Sequence, residues 1–260
     1  MSTAPEIRIM TDRQEMADEA AELFVWLGEQ AMAASGRFRV ALSGGTTPKG
    51  LYAALAGPDL STKLAWPHVD FYFSDERCVP PDHPDSNFGM ANEALFRTLK
   101  IQPEQVYRMA GEDNRPERAA LQYEELLRKE FQAPAPAWPS FDLVLLGLGE
   151  DGHTASLFSG TQALDERERL VVATTAPQGV KKRLTLTVPM INKARVIVFL
   201  VSGGSKAAAI RLALEVPNQL DPRIPARLIR PESGRLIWLL DRTAASELTI
   251  AKQGVVSHEE

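Results

Sequence analysis

The 260-residue sequence has one cysteine, Cys78, and therefore cannot form an internal disulfide. It also lacks long apolar runs, since stretches such as Val196–Val201 are far short of the roughly 20 residues that a membrane span needs. The first residues do not show the basic and then apolar pattern of a secretory signal. These absences predict a cytoplasmic protein that does not cross a membrane.

An excess of positive charge is absent as well. The chain carries 29 Lys and Arg against 34 Asp and Glu, a net charge of -5, with both signs mixed along its length. We therefore expect no broad cationic surface and no nucleic-acid partner. The four histidines and the cysteine do not show the spacing of metal ligands, so we expect no metal and no cofactor. No obligate protein partner is expected.

Hydrophobic residues, by contrast, make up 44% of the chain, which is enough for a buried core. We expect residues 1–260 to form a single domain. The proline-rich stretch 133–140 is interpreted as a surface loop within that domain, because it is only as long as one loop.

Short apolar runs alternate with segments of helical periodicity. Strands are predicted at Phe38–Leu42, Val69–Phe73, Asp142–Leu146, Val196–Val201 and Leu236–Leu240. Helices are predicted from Met16 to a stop at Gly36, from Leu51, over Arg115–Phe131 and over Lys206–Leu214. The first strand is thus expected at Phe38, with about 37 preceding residues that form one long helix. This alternation predicts an α/β fold with a Rossmann-like open sheet, mainly parallel, and helices on both faces.

Four loops follow these strands and carry the residues suited to chemistry. Ligand clefts of open α/β sheets lie at the carboxyl ends of the strands, so we expect the four loops to share one cleft. Two of them begin with Ser-Gly-Gly, at Ser43 and at Ser202. The first, Ser43-Gly44-Gly45-Thr46-Thr47, offers small residues, hydroxyls and free amides at a helix start, which suits a phosphate. A turn required only by strand-to-helix geometry is the alternative.

The other charged residues have two interpretations each. Arg77, in Ser74-Asp75-Glu76-Arg77, can hold a phosphate, and Asp75 can orient an imidazole or accept a proton from the substrate. A local ion-pair network at a strand end is the other interpretation. Lys206 can reach a phosphate as a point charge or be an ordinary solvated helix residue. His68, His83 and His258 are assigned no chemical role.

The loop after Leu146, Gly147–Phe158, contains three glycines, two acids and His153. An imidazole is suited to proton transfer near neutral pH, and glycine amides can face a developing oxyanion. We therefore predict His153 as the acid-base residue and Gly149 and Gly152 as part of an oxyanion or substrate loop. Asp75 or Asp151 would hold the imidazole, and the sequence leaves both open. A helix-capping role for His153 is the alternative.

Taken together, these segments resemble the 6-phosphogluconolactonases. The resemblance rests on ALSGGTTPKGLY from Ala41, FSDERCVPPDHPDSNFGM from Phe73, FDLVLLGLGEDGHTASLF from Phe141 and VSGGSKAAAI from Val201. It implies a fold shared with glucosamine-6-phosphate deaminases and a phosphorylated sugar lactone, 6-phospho-D-glucono-1,5-lactone, as substrate. It also implies His153 as general base or acid, Asp75 near the reacting end, and Arg77 and Lys206 on the substrate phosphate with the Ser43–Thr47 loop.

Two other functions fit the sequence less well. A glucosamine-6-phosphate deaminase carries a glutamate five residues after the histidine, where this chain has Phe158. A non-catalytic sugar-phosphate sensor of a transcription regulator normally needs a separate DNA-binding segment, and the helix predicted before Phe38 does not supply one. Water attack assisted by His153 is favoured over a serine nucleophile, because neither Ser43 nor Ser156 lies in a G-x-S-x-G elbow.

Overall fold

The computed structural model describes residues 4–215 and 223–249. Within them, six parallel strands form a sheet in the order β1-β9-β8-β5-β2-β3, and three antiparallel strands form a second sheet in the order β4-β7-β6. The strands are β1 (Glu6–Met10), β2 (Phe38–Leu42), β3 (Val69–Phe73), β4 (Asp75–Arg77), β5 (Leu143–Leu146), β6 (Val171–Thr175), β7 (Lys182–Leu186), β8 (Val196–Val201) and β9 (Arg235–Asp241).

Helices connect these strands. They are α1 (Arg13–Ser35), α2 (Thr46–Ala56), α3 (Asn87–Ala91), α4 (Arg97–Leu99), α5 (Pro116–Glu130), α6 (Val188–Asn192) and α7 (Ala207–Leu214), with a π-helical turn, Asn92–Phe96, between α3 and α4. The Asp12 side chain caps α1 by accepting two backbone N–H groups, and α1 ends at Gly36, whose φ of 77° favours glycine. The predicted stop of this helix is thus confirmed.

The inner strands of the six-stranded sheet are covered on both faces. On one face α1, α2 and the α3–α4 segment cover alternate strand residues such as Val40, Phe71 and Leu145. On the other face α5, α6, α7 and the three-stranded sheet cover the intervening residues, such as Ala41, Val144 and Phe199. Strands covered on both sides have no polar face, which explains why they read as continuous apolar runs. The predicted α/β fold, parallel sheet and helices on both faces are confirmed.

The expectation of one long helix before Phe38 is wrong, because β1 precedes α1. Only Met10 of β1 is fully buried, and the strand is an edge strand that pairs in parallel with β9. Its formation depends on contacts more than 220 residues away, such as the hydrogen bond from Arg235 to Glu6. Five residues with weak alternation do not reveal such a partner. The three-stranded sheet was likewise not predicted.

Helix α1 begins three residues before the predicted Met16 and α2 five residues before the predicted Leu51, whereas the other predicted elements differ from the structure by about one residue at their ends. Lys206 and Phe131, expected inside helices, are instead the residues that flank α7 and α5. None of the helices in the described ranges is long and apolar enough to cross a membrane. His258 and the tail from Gln253 to Glu260 lie outside the described residues.

Candidate active site

The segments that follow β2, β3, β5 and β8 meet in one cleft of about 600 Å³ at the carboxyl edge of the large sheet. The convergence expected for these four segments is therefore confirmed. The tip of the β6–β7 hairpin closes another side of the cleft with Pro177 and Gln178. The polar lining residues are Ser43, Asp75, Arg77, Asn87, Glu150, Asp151, His153, Thr154, Gln178, Arg183 and Lys206.

His153 is held by its near neighbour Asp151. Oδ1 of Asp151 lies 2.5 Å from Nδ1 of His153 and also accepts the backbone N–H of His153 at 3.2 Å. Gly152, between them, has a φ of 81°, in the left-handed region that favours glycine. A Cβ on Gly149 would lie 2.0 Å from His153 Nδ1, so only glycine leaves room for the imidazole there.

The charge state of Asp151 defines the tautomer of the imidazole. Burial favours the neutral carboxyl, but the hydrogen bond and charge of His153 outweigh it, so the pKa of Asp151 lies below its usual value. An ionised carboxylate only accepts hydrogen bonds, so Nδ1 of His153 carries the hydrogen. Nε2 is then the ring nitrogen that can take a proton.

Asp75, the other acid considered for this role, makes its hydrogen bonds elsewhere. Oδ2 accepts the Ser156 hydroxyl at 2.7 Å, and Oδ1 accepts the amide nitrogen of Asn87 at 3.1 Å. Asp75 lines the cleft but is only 6% exposed. Of the two acids that the sequence left open, the structure therefore places Asp151 on the imidazole and Asp75 in a buried polar network.

The two glycine amides predicted to face an oxyanion are engaged within their own loop. Gly149 N–H donates to the carbonyl of His153 at 2.8 Å, and Gly152 N–H donates to the carbonyl of Gly149 at 3.0 Å. Gly149 lines the cleft and Gly152 packs behind it, against Ile224. In this geometry neither amide is free for a ligand, which corrects the expectation. Among the described residues, the Glu150 N–H beside them donates to no other group.

The Ser43–Thr47 loop forms the amino end of α2, as predicted. Gly45 precedes the first turn with a φ of 100°, and no side chain caps the helix. Within residues 4–215 and 223–249, the amides of Gly44 and Gly45 donate no hydrogen bond. Thr46 and Thr47 line a neighbouring cavity of about 190 Å³ rather than the main cleft, and Gly44 and Gly45 line both. Unpaired amides at a helix start attract an anion.

Lys206 joins the two cavities, because its side chain lines both. Its side chain is 25% exposed, and Nζ lies 3.7 Å from a carboxylate oxygen of the more exposed Glu150. An ammonium group beside the amino end of α2 adds a positive charge to a helix start that attracts anions.

Arg183 was not singled out from the sequence. It lies on β7 in register with Arg77 on β4, and both side chains line the cleft. Burial and then the charge of Arg77 lower the pKa of Arg183 below its usual value. In the part of the chain that the structure describes, the buried Nε of Arg77 has no hydrogen-bond partner. Two half-buried guanidinium groups that repel each other form a site that an anion would stabilise.

A sequence signal for Arg183 existed but was weak. The basic run Lys181–Arg183 leads directly into alternating apolar and polar residues, Leu184 to Thr187, which is typical of a strand. Only the antiparallel pairing of β7 with β4 shows that Arg183 faces Arg77.

Asn87 and Phe158 also contribute to the cleft without having been assigned a role there. Asn87 is 2% exposed and lies so close to the Ser43–Thr47 loop that a Cβ on Gly44 would be 1.8 Å from its side-chain oxygen. The ring of Phe158 packs on the imidazole of His153, with 4.5 Å between centroids. Asn87 and Phe158, which both line the cleft, therefore pack against the Ser43–Thr47 loop and the imidazole.

Comparison with known proteins identifies the family of the chain. Residues 11–238 match the family model described as glucosamine-6-phosphate isomerases/6-phosphogluconolactonase. The chain belongs to this family. It is 41% identical over 245 residues to a 6-phosphogluconolactonase of Synechocystis sp., covering 94% of this chain and 99% of the relative. It is 38% identical over 244 residues to one of Nostoc sp., covering 94% and 98%.

A solved structure from the same family has the same fold. The 6-phosphogluconolactonase from Trypanosoma cruzi superposes with a TM-score of 0.84 at 30% identity, covering 96% of this chain and 98% of that one. The family resemblance inferred from the four motifs is therefore confirmed.

Proposed function

We propose that the protein hydrolyses 6-phospho-D-glucono-1,5-lactone to 6-phospho-D-gluconate, a step of the oxidative pentose phosphate pathway. The observation that carries the proposal is the position of the His153–Asp151 pair, which opens into the same cleft as Arg77, Arg183 and Lys206. A proton-transfer group and three cationic side chains thus line the same cleft. The names of the family relatives support the same substrate.

In the proposed reaction, Nε2 of His153 takes a proton from water as the oxygen attacks the lactone carbonyl. The tetrahedral intermediate then collapses, the bond to the ring oxygen breaks, and the imidazolium returns the proton to that oxygen. Asp151 keeps the ring oriented and stabilises the transient imidazolium. The Glu150 amide, which donates no hydrogen bond within the described residues, is proposed to assist the oxyanion, since the amides of Gly149 and Gly152 are engaged.

The phosphate is proposed to bind among the free amides of Gly44 and Gly45, Arg77, Lys206 and Arg183. Arg183 joins the set predicted from the sequence because it faces Arg77 across two paired strands. Thr46 and Thr47 would reach the anion from the smaller cavity beside α2. Arginine provides planar paired donors and lysine a point charge, so both kinds of contact with a phosphate are present.

Deamination of an amino-sugar phosphate is less well supported. The position where that enzyme carries a glutamate is occupied here by Phe158, whose ring contacts the imidazole. An aromatic ring cannot relay a proton, so the residue pair at His153 suits water activation better than ring opening at an amino sugar.

Proton release from freshly generated 6-phosphogluconolactone tests the proposal. The wild-type protein is expected to exceed the spontaneous rate, and His153→Ala to lower kcat by about 10²–10⁴-fold through loss of acid-base assistance. Arg183→Ala is expected to raise KM much more than it lowers kcat. His68→Ala, which removes an exposed histidine outside the cleft, is the matched control and should behave as wild type.

Three results would count against the proposal. A wild-type rate equal to the spontaneous rate would exclude lactone hydrolysis. Unchanged kcat in His153→Ala would exclude the role of the imidazole. Ammonia release from glucosamine 6-phosphate would favour the deaminase instead.

A further inference from the structure

Asp241 is a buried carboxylate beside the cleft that touches neither cavity. It is the last residue of β9, next to the point where β8 ends, since Val201 pairs with Leu240. Its exposure is 5%. Asp241 was not among the residues selected from the sequence, because no glycine or histidine motif surrounds it.

Its carboxylate joins two loops that leave neighbouring strands. From the loop after β8, the Ser202 hydroxyl donates to Oδ2 at 2.5 Å and the Gly203 N–H at 3.1 Å. From the turn after β9, the Thr243 hydroxyl and the Ala244 N–H donate to Oδ1, both at 2.7 Å. Four groups therefore donate to one carboxylate, and two of them belong to the loop that leads to Lys206.

These bonds favour the ionised form of Asp241. Burial alone would favour the neutral acid, but the hydrogen bonds outweigh it and lower the pKa of Asp241 below its usual value. No lysine or arginine of the described residues forms an ion pair with it. The donors of the two loops thus compensate the negative charge of Asp241. The carboxylate keeps all four hydrogen bonds only while the two loops hold this arrangement.

A short chain of contacts connects Asp241 to Lys206. Gly203, whose N–H is bound by the carboxylate, has a φ of 99°, and its carbonyl accepts the Lys206 N–H at 3.1 Å. The backbone of Lys206 is therefore fixed two hydrogen bonds away from Asp241. A lysine side chain has several rotatable bonds, so the reach of its ammonium depends on how firmly its backbone is anchored.

We propose that Asp241 is a positioning residue for anion binding: it fixes the 202–206 loop so that the Lys206 ammonium projects into the cleft. This inference rests on the proposed role of Lys206 in holding the substrate phosphate. It adds a determinant of affinity outside the cleft, and it assigns Asp241 no contact with substrate.

Asp241→Asn is the primary test. The variant keeps the shape of the side chain but replaces one carboxylate oxygen with an NH₂ group, which cannot accept the hydrogen bonds of the two loops. The variant is expected to raise KM for the phosphorylated lactone by about 10-fold or more, with kcat within about 2-fold of wild type. KM for unphosphorylated glucono-1,5-lactone should stay unchanged. Asp59→Asn, which alters an exposed carboxylate, is the matched control.

A double-mutant cycle separates positioning from general destabilisation. Lys206→Met should raise KM on its own, and adding Asp241→Asn should raise it no further, because both changes remove the same contact. Additive effects, or a fall in kcat at unchanged KM, would overturn the proposal. If Asp241→Asn does not fold, Ser202→Ala, which removes one bond to the carboxylate, should give a smaller KM increase in the same direction.

Direct binding of 6-phosphogluconate, measured by calorimetry, keeps this test independent of turnover. If the wild-type protein hydrolyses no lactone but binds the anion, weaker binding by Asp241→Asn than by Asp59→Asn supports the positioning role although the proposed function fails. Equal affinities of the two variants would overturn the positioning role even where turnover is confirmed.

Discussion

At the scale of single residues, the site depends on glycines that make room for polar side chains. Gly149 allows the imidazole of His153 to approach, and Gly44 allows the Asn87 amide to approach. A glycine-rich loop was evident from the sequence, but the sequence did not reveal which neighbour each glycine admits. The pairing of His153 with Asp151 was one of two open possibilities, because it depends on the turn at Gly152 and on where Asp75 finds its own partners.

The Asp151–His153 contact gives a specific expectation for Asp151→Asn. The amide can present its NH₂ group to Nδ1 and so stabilise the wrong tautomer, which leaves Nε2 unable to accept a proton. We expect kcat to fall by roughly 10²-fold or more, within the range of acid-base assistance, and KM to change little. Steady-state kinetics on the phosphorylated lactone measures both.

The control for this variant is Asp165→Asn, an exposed carboxylate outside the cleft, which should leave kcat and KM unchanged. A large rise in KM for Asp151→Asn at unchanged kcat would mean that Asp151 binds substrate instead of orienting the imidazole.

At the scale of elements, the parallel sheet was predictable and the small antiparallel sheet was not. Strands such as β5 and β8 are buried on both faces and stand out as apolar runs between helices. By contrast, β4 has three residues and is recognisable only through its pairing with β7, more than 100 residues away. This pairing places Arg183 opposite Arg77. The sequence therefore predicted Arg77 and Lys206 as cationic residues of the site, but not Arg183.

Helix α5 is tied to the small sheet through Glu124. Its side chain accepts hydrogen bonds from Arg128, from Arg169 at 2.8 Å and from the Leu170 N–H at 3.0 Å, just before β6 begins. Glu124→Gln should lower the free energy of unfolding by about 1–3 kcal/mol, because one oxygen that accepts from charged donors is replaced by an NH₂ group.

Urea unfolding measures this loss, and Glu125→Gln is the control, since Glu125 is the exposed neighbour on the same helix. KM and kcat should be unchanged in both variants because Glu124 lies outside the cleft. Equal stability of the two variants would show that the Glu124 contacts contribute nothing to folding.

At the scale of the whole molecule, the stability of the fold depends on pH through buried carboxylates, and the pKa values of two of them are shifted in opposite directions. Burial raises the pKa of Glu76 above its usual value, so its ionisation in the folded state is unfavourable. The pKa of Glu124 is below its usual value: burial opposes ionisation, but the bonds from Arg169, Leu170 and Arg128 outweigh it. A carboxyl with a lowered pKa stabilises the fold above its unfolded pKa, and this contribution is lost as pH falls through the folded value.

The lowered pKa of Glu124 determines how the loss of stability in Glu124→Gln depends on pH. The difference in unfolding free energy between wild type and Glu124→Gln should be constant above about pH 5 and shrink as pH falls below about 4.5, where the unfolded glutamate becomes protonated. Urea unfolding of both proteins from pH 7 to pH 3 measures it. A difference that grows on acidification would contradict the lowered pKa.

The acidic side chains of the cleft bear on the end of the proposed reaction. Asp75, Glu150 and Asp151 line the same cleft as the cationic residues. Opening of the ring converts an uncharged ester into a carboxylate, so the product carries one more negative charge than the substrate, and the proposed mechanism puts this charge at the end nearest Asp151. In the proposed reaction, the carboxylate that orients the imidazole would therefore also repel the newly formed carboxylate, so we expect the charge of Asp151 to favour departure of the product.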